Sequence, residues 1–236
     1  VLSLGYSVVK CHIPLKNYEE DPEFCGHFIR IFREQGCEAV ISFDFFPLIA
    51  RIAEQLKVRY FSWVYDMPHH TLYSPAVLGT YTSLFLFDRE QYRQMKQIRQ
   101  KHTYYLPLAV NMRRLKRQRK ATDSGNNIPE YNADISFVGS LYEKNLYRQI
   151  TYLPEYLKGY LQGGMEAQQK IFGYHMVGDV LDDEVLKELQ TYVVMDLDPS
   201  YLADKKQLYV DMIDAEITCQ ERTRLLGALS ERYSLQ

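Results

Sequence analysis

Three apolar runs in the first half of the chain each end in an aspartate: Val40-Ile-Ser-Phe-Asp44, Phe61-Ser-Trp-Val-Tyr-Asp66 and Leu84-Phe-Leu-Phe-Asp88, with 22 residues from each Asp to the next. Short runs rich in β-branched and aromatic residues read as buried strands, and the stretches between them read as helices. A strand, a crossover helix and the next parallel strand together take roughly 20–30 residues. The period therefore predicts a repeated strand–helix unit. Parallel neighbours bring all three acids to the carboxyl edge of one sheet, where open α/β sheets bind ligands. The period also suits leucine-rich repeats, but no Leu-x-x-Leu-x-Leu pattern is present, which excludes a solenoid.

The flanking sequence extends the pattern. Tyr6–Ile13 reads as a strand stopped by Pro14. Asp21-Pro22-Glu23 opens a helix to about Gln35, with an N-cap, a first-turn proline and a first-turn acid. Further helices are expected over Leu48–Lys57 and Glu90–Gln100, a loop rich in Pro and His from Asp66 to Pro75, and a fifth strand over His102–Leu106. This alternation predicts an α/β fold with a Rossmann-like, doubly wound parallel sheet. Residues 113–132 break it: the basic run Arg113–Lys120 leads into a polar loop, read as a linker and domain boundary. Ala133–Ser140 reads as a new strand ending in glycine, and the rest reads as mostly helical. Tyr152, Tyr156 and Tyr160 share one helical stripe, read as packing, and a long helix is expected over Ala203–Arg232. Val1–Gly5 reads as a helix end and Gln236 follows a helical run, so further sequence is expected on both sides.

Hydrophobic residues make up 46% and charged residues 25%, with a formal charge of -2, ordinary values for a globular protein. Nothing in that balance draws the chain to nucleic acid or an anionic membrane. No apolar stretch approaches the ~20 residues of a membrane span. The four cysteines lack Cys-x-x-Cys spacing, so no zinc site or disulfide framework is expected, and a cytoplasmic setting fits.

The three aspartates differ in their neighbours. Asp88-Arg-Glu-Gln91 has the form of a capping box, so Asp88 reads as a helix cap. Asp44 precedes Phe45-Phe46-Pro47 and suits either a helix start or a site. Asp66 resists capping, because Pro68 disfavours a helical Met67. His69 and His70 follow it. An Asp and a His at a sheet edge can form a general-base pair, the Asp fixing the imidazole tautomer. Three carboxylates could also hold Mg²⁺, but neither a phosphate loop nor a dinucleotide fingerprint occurs, and no metal is expected. The basic run lacks aromatic interleaving and any nucleic-acid motif, so it reads as a solvated linker. Phe137-Val-Gly-Ser140 suits a strand–glycine–helix turn, with or without a phosphate on its amides.

Taken in order, Phe61-Ser-Trp-Val-Tyr-Asp-Met-Pro68, Leu84-Phe-Leu-Phe-Asp-Arg89, Tyr105-Leu-Pro-Leu-Ala-Val-Asn111 and Asp134-Ile-Ser-Phe-Val-Gly-Ser-Leu-Tyr142 resemble the amino-terminal region of bacterial CgeB-like (spore maturation protein) glycosyltransferases, including the DUF3880 domain. The resemblance covers about residues 38–142. It implies a GT-B architecture. Residues 1–112 are then a Rossmann-like, acceptor-side domain lacking its first strand, 113–132 a basic linker, and 133–236 the start of a mostly helical, donor-side domain. It implies sugar transfer from a nucleotide-sugar donor to a hydroxyl acceptor in surface or spore glycoconjugate synthesis, without metal or resident cofactor. Asp66 and His69 are the implied catalytic pair, Asp44, Trp63 and His70 the implied acceptor contacts, and Gly139 and Ser140 the implied donor contacts. The later donor motifs of such enzymes are missing, so this piece alone is expected to be inactive.

The alternative is a non-catalytic, Rossmann-like module that binds carbohydrate or protein. A receiver-type regulatory domain ranks last, because Leu106-Pro107 stands where its fifth-strand lysine is needed.

Overall fold

The computed structural model describes residues 4–123, 133–195, 200–202 and 204–234, with backbone alone for 119–123. The chain divides into two compact units, residues 1–109 with 198–203, and residues 110–197 with 204–236.

The first unit is α/β. Its elements are α1 (Pro22–Glu34), β1 (Ala39–Phe43), α2 (Pro47–Leu56), β2 (Arg59–Val64), β3 (Thr82–Leu86), α3 (Arg89–Ile98) and β4 (Thr103–Tyr105). The strands form one parallel sheet in the order β1-β2-β3-β4. Local chemistry sets the helix starts. Asp21 accepts from the Phe24 amide with Pro22 in the first turn of α1, and Asp88 accepts from the Gln91 amide at the head of α3. Gln91 does not return the bond of a capping box. Its side chain is buried, and Oε1 has no partner.

Between β2 and β3 the chain makes two 3₁₀ turns, His70–Tyr73 and Pro75–Leu78, instead of an α-helix. Leu72 and Val77 anchor this crossover in the core. Arg99 closes it from below, donating to the Gly79 and Thr82 carbonyls at 2.7 and 2.5 Å, and burial pulls its guanidinium pKa down.

The α/β, all-parallel sheet is consistent with the Rossmann-like expectation. Every connection among these four strands steps to the next strand in one direction, and parallel crossovers are right-handed in nearly all proteins, which sets the connecting segments on a single face. Tyr60, Val64, Leu84 and Leu86 point to that face and pack with Leu48, Ile52 and Ala53 of α2. Each such burial contributes roughly 1.5–3 kcal/mol. The reverse face carries Ile41, Phe43, Phe61, Trp63, Phe85 and Tyr104 at the alternate positions. Tyr6–Ile13 forms no strand. It has no backbone partner among the described residues, and a segment outside a ladder does not become a strand whatever its propensity.

The second unit contains α4 (Met112–Asp123), α5 (Glu155–Gln168), α6 (Val177–Val180), α7 (Asp183–Tyr192) and α8 (Lys205–Ser230). Among the described residues it contains no sheet. The basic run lies on α4, not in an irregular linker. Asn111 caps that helix through the Arg114 amide, and Arg, Lys and Gln are good helix formers. The remainder of the expected linker, 124–132, lies outside the described residues. The core of this unit joins Leu157, Leu161 and Met165 of α5 with Leu189 of α7 and Ile213 and Ile217 of α8. The packing stripe of α5 is thus its leucines. Tyr156 and Tyr160 lie on the exposed side, and Tyr152 precedes the helix.

Candidate functional site

The carboxyl ends of β1 and β2 are organised by Asp44. Its backbone is left-handed, with φ 62°. That conformation disfavours most side chains and is best tolerated by Gly, Asn and Asp. Two sets of bonds hold it. The Asp44 carbonyl turns inward and accepts from Ser42 Oγ at 2.6 Å and Ser62 Oγ at 3.0 Å. The carboxylate turns outward, and Oδ1 accepts from the Tyr65 and Asp66 amides at 2.8 and 3.2 Å. Charge-assisted bonds are the stronger kind, although solvent at this exposed edge weakens them. Asp44 is therefore the clasp that fixes the end of β2. It does not cap α2, whose N-cap is Phe46.

Tyr60 completes the support. Its hydroxyl lies 2.7 Å from Ser42 Oγ and accepts from the Phe46 amide at 3.1 Å. The ring is fully buried, and burial pushes the phenol up to about 12. Sequence reasoning missed this hydroxyl group of Ser42, Tyr60 and Ser62. The available signal was a serine inside each of two otherwise apolar runs, and the register pairs those serines directly.

Asp66 follows at the mouth of the edge. It is exposed, and its carboxylate makes no hydrogen bond or ion pair among the described residues. The Met67–Pro68 peptide bond after it is cis. His69 turns the other way. Its Nε2 accepts from the Phe45 amide at 3.0 Å, which places the ring hydrogen on Nδ1. Thr71 Oγ1 lies 2.8 Å from the same nitrogen and 2.7 Å from the Phe45 carbonyl. The Nε2 lone pair of His69 is committed to the backbone, and no hydrogen bond joins His69 to Asp66. His70 begins the first 3₁₀ turn and is half-buried.

An aromatic cluster runs up to Tyr65, the residue before Asp66. Phe43 lies 5.7 Å from Trp63 and 6.2 Å from Tyr65 between ring centroids, and Trp63 lies 5.9 Å from Tyr65. Trp63 offers its ring rather than its polar atom, because Nε1 is shielded and has no hydrogen-bond partner among the described residues. An exposed carboxylate that follows a cluster of tilted and edge-on aromatic rings offers a proton acceptor and apolar area at one strand end, the pairing that suits a polyhydroxylated ligand.

Gly139 and Ser140 lie in the second unit, in irregular chain. The expected strand over Ala133–Ser140 is absent apart from a bridge at Ile135, and Val138 is 97% exposed. No helix begins after Ser140, so no helix N-terminus presents amides to a phosphate there. Arg222 holds the segment instead. Its guanidinium donates to the Ser140 carbonyl and lies over the Phe137 and Tyr142 rings, 5.8 and 4.9 Å from their centroids. A Cβ on Gly139 would stand 3.2 Å from Phe137 Cζ, so the glycine permits this fold-back.

Among the described residues, no group of His, Cys, Asp and Glu is arranged to hold a metal ion, and no helix is long and apolar enough to cross a membrane. Comparison with protein-family models, with curated proteins and with solved structures returns no match for this chain.

Proposed function

We propose that the chain is the acceptor-side portion of a glycosyltransferase, moving a sugar from a nucleotide-sugar donor to a hydroxyl acceptor, with Asp66 as the proton acceptor. The observation that carries this reading is the exposed Asp66 carboxylate at the carboxyl edge of a parallel sheet, directly after Tyr65 of the Phe43, Trp63 and Tyr65 cluster. In the proposed step the acceptor hydroxyl gives its proton to Asp66, its oxygen bonds to the anomeric carbon, and the nucleotide leaves with the bonding electron pair. His69 drops out as the base, because its lone pair already takes the Phe45 amide. It and Asp44 hold the edge in place. The resemblance of residues 38–142 to CgeB-like glycosyltransferases supports the same reading.

A second reading, a carbohydrate-binding module without turnover, is favoured by the geometry at Gly139 and Ser140. That segment offers no helix N-terminus to a donor phosphate.

One experiment separates the two. The chain is titrated with mono- and disaccharides while Trp63, its single tryptophan, reports by fluorescence. The full-length protein is then incubated with radiolabelled nucleotide-sugars and the saccharides that bind. Transfer that falls at least ~100-fold in Asp66→Asn, with the fold unchanged, supports the enzyme. Saccharide binding without transfer supports the module. No change in Trp63 emission and no product would remove both.

A further inference from the structure

The positive charge of this chain is concentrated in one helix. The formal net charge is -2, yet Arg113–Lys120 carries six basic residues in eight, and the one acid of α4, Asp123, stands at its last position. Arg113, Arg114, Lys116 and Arg117 are exposed, and none of them forms an ion pair among the described residues. Arg113, Lys116 and Arg117 stand three and four positions apart, so they share one helix face. This arrangement works against the helix itself. Like charges at that spacing repel. Arg113 and Arg114 also lie in the first turn, at the positive end of the helix dipole, where acids are favoured and none is present. Within the described residues no acid offsets that repulsion. A surface with many negative charges, meeting several of these cations at once, does.

We propose that α4 docks this chain on an anionic phospholipid surface. Two apolar side chains select a bilayer over another polyanion. Val110, just before α4, and Met112, its first residue, belong to the same unit and are 70% and 56% exposed. Cations set against lipid phosphates, beside apolar groups that enter the acyl boundary, make up an interfacial helix. A nucleic acid offers phosphates to the cations but gains nothing from Val110 and Met112, and α4 contains no aromatic residue on which a base could stack. The docking is peripheral, since no helix among the described residues is long and apolar enough to cross a membrane. Each cation held near an anionic leaflet strengthens binding roughly fivefold, and the pull fades within a Debye length, about 10 Å at 0.1 M salt. It does not depend on the Asp66 site.

The test is co-sedimentation of the chain with vesicles of pure phosphatidylcholine, and of phosphatidylcholine with about one-third phosphatidylglycerol. Binding to the anionic vesicles is expected to exceed binding to the neutral ones by on the order of 100-fold and to fall steeply as salt is raised. Arg113→Gln/Lys116→Gln/Arg117→Gln removes the shared cationic face but keeps good helix formers, so circular dichroism is expected to be unchanged while affinity for anionic vesicles drops on the order of 100-fold. Arg113→Lys/Arg117→Lys keeps the charge and is expected to keep the affinity within about twofold, because a lipid surface reads charge rather than guanidinium geometry. Val110→Ser/Met112→Ser is expected to weaken vesicle binding several-fold with the cations in place. Equal binding of the parent and the glutamine variant to anionic vesicles overturns the proposal, as does equal binding of the parent to neutral and anionic vesicles. Loss of binding in the lysine variant overturns it as well. Duplex RNA that binds more tightly than anionic vesicles at equal phosphate concentration would assign the helix to nucleic acid instead.

Discussion

On the helix-bearing face of the sheet Tyr60, Val64, Leu84 and Leu86 are fully buried, whereas on the reverse face Ile41 and Phe43 keep 62% and 64% of their surface exposed. Both faces are apolar in sequence. Val40-Ile-Ser-Phe43 and Leu84-Phe-Leu-Phe87 show no polar alternation, and continuous apolar runs of this kind belong to parallel sheets covered on both sides. What separates the faces is the path of the crossovers. With strands added in one direction, every connecting segment lands on the same side. Apolar composition thus reports which residues suit burial, and strand order decides which residues obtain it.

The largest effect that can break this comparison comes from truncating each face in turn. Leu84→Ala is expected to cost about 2–5 kcal/mol, as core truncations with a residual cavity do. Phe43→Ala is expected to cost no more than ~1 kcal/mol, because its exposed ring keeps only tilted and edge-on contacts with Trp63 and Tyr65. Urea denaturation of both variants is the measurement. Equal losses would mean that the reverse face is covered in solution.

Next comes the response to alkali. Burial pushes the Tyr60 phenol up to about 12 from an ordinary 10.0. The unfolded chain loses that proton first, so stability is intact below pH ~10 and falls as pH rises through ~12, by up to ~3 kcal/mol. Tyr60→Phe removes the titrating group and is expected to flatten this part of the pH profile. An unchanged profile would place the alkaline loss elsewhere.

A smaller loss is expected at Asp44. Alanine there keeps a left-handed backbone that costs roughly 1–2 kcal/mol and loses the bonds to the Tyr65 and Asp66 amides. The expected total is about 1–3 kcal/mol, with faster amide exchange at Tyr65 and Asp66. Asp44→Asn tolerates the conformation and keeps an acceptor oxygen, so it is expected to lose less than half as much. If the two variants were equal, the carboxylate clasp would carry no weight.

Local rules made part of this structure legible. The strands ending at Asp44, Asp66 and Asp88 form where their β-branched and aromatic runs lie, and Asp21 and Asp88 cap the helices their neighbours mark out. Long-range partners made the rest illegible. Tyr6–Ile13 has strand composition but no partner, and Ala133–Ser140 is folded back by Arg222, a residue far along the chain. The separation of Asp66 from His69 was hidden for the same reason. The Phe45 amide that captures His69 belongs to the preceding strand–helix unit, which no local pattern brings near it.

The smallest effect is expected on the bare face. Ile41→Thr keeps a β-branched side chain on an exposed position, so it is expected to change stability by less than ~0.5 kcal/mol. Urea denaturation against the parent chain is the measurement. A loss as large as that of a core truncation would mean that the reverse face around Ile41 is covered in solution, and strand order would then not be what separates the two faces.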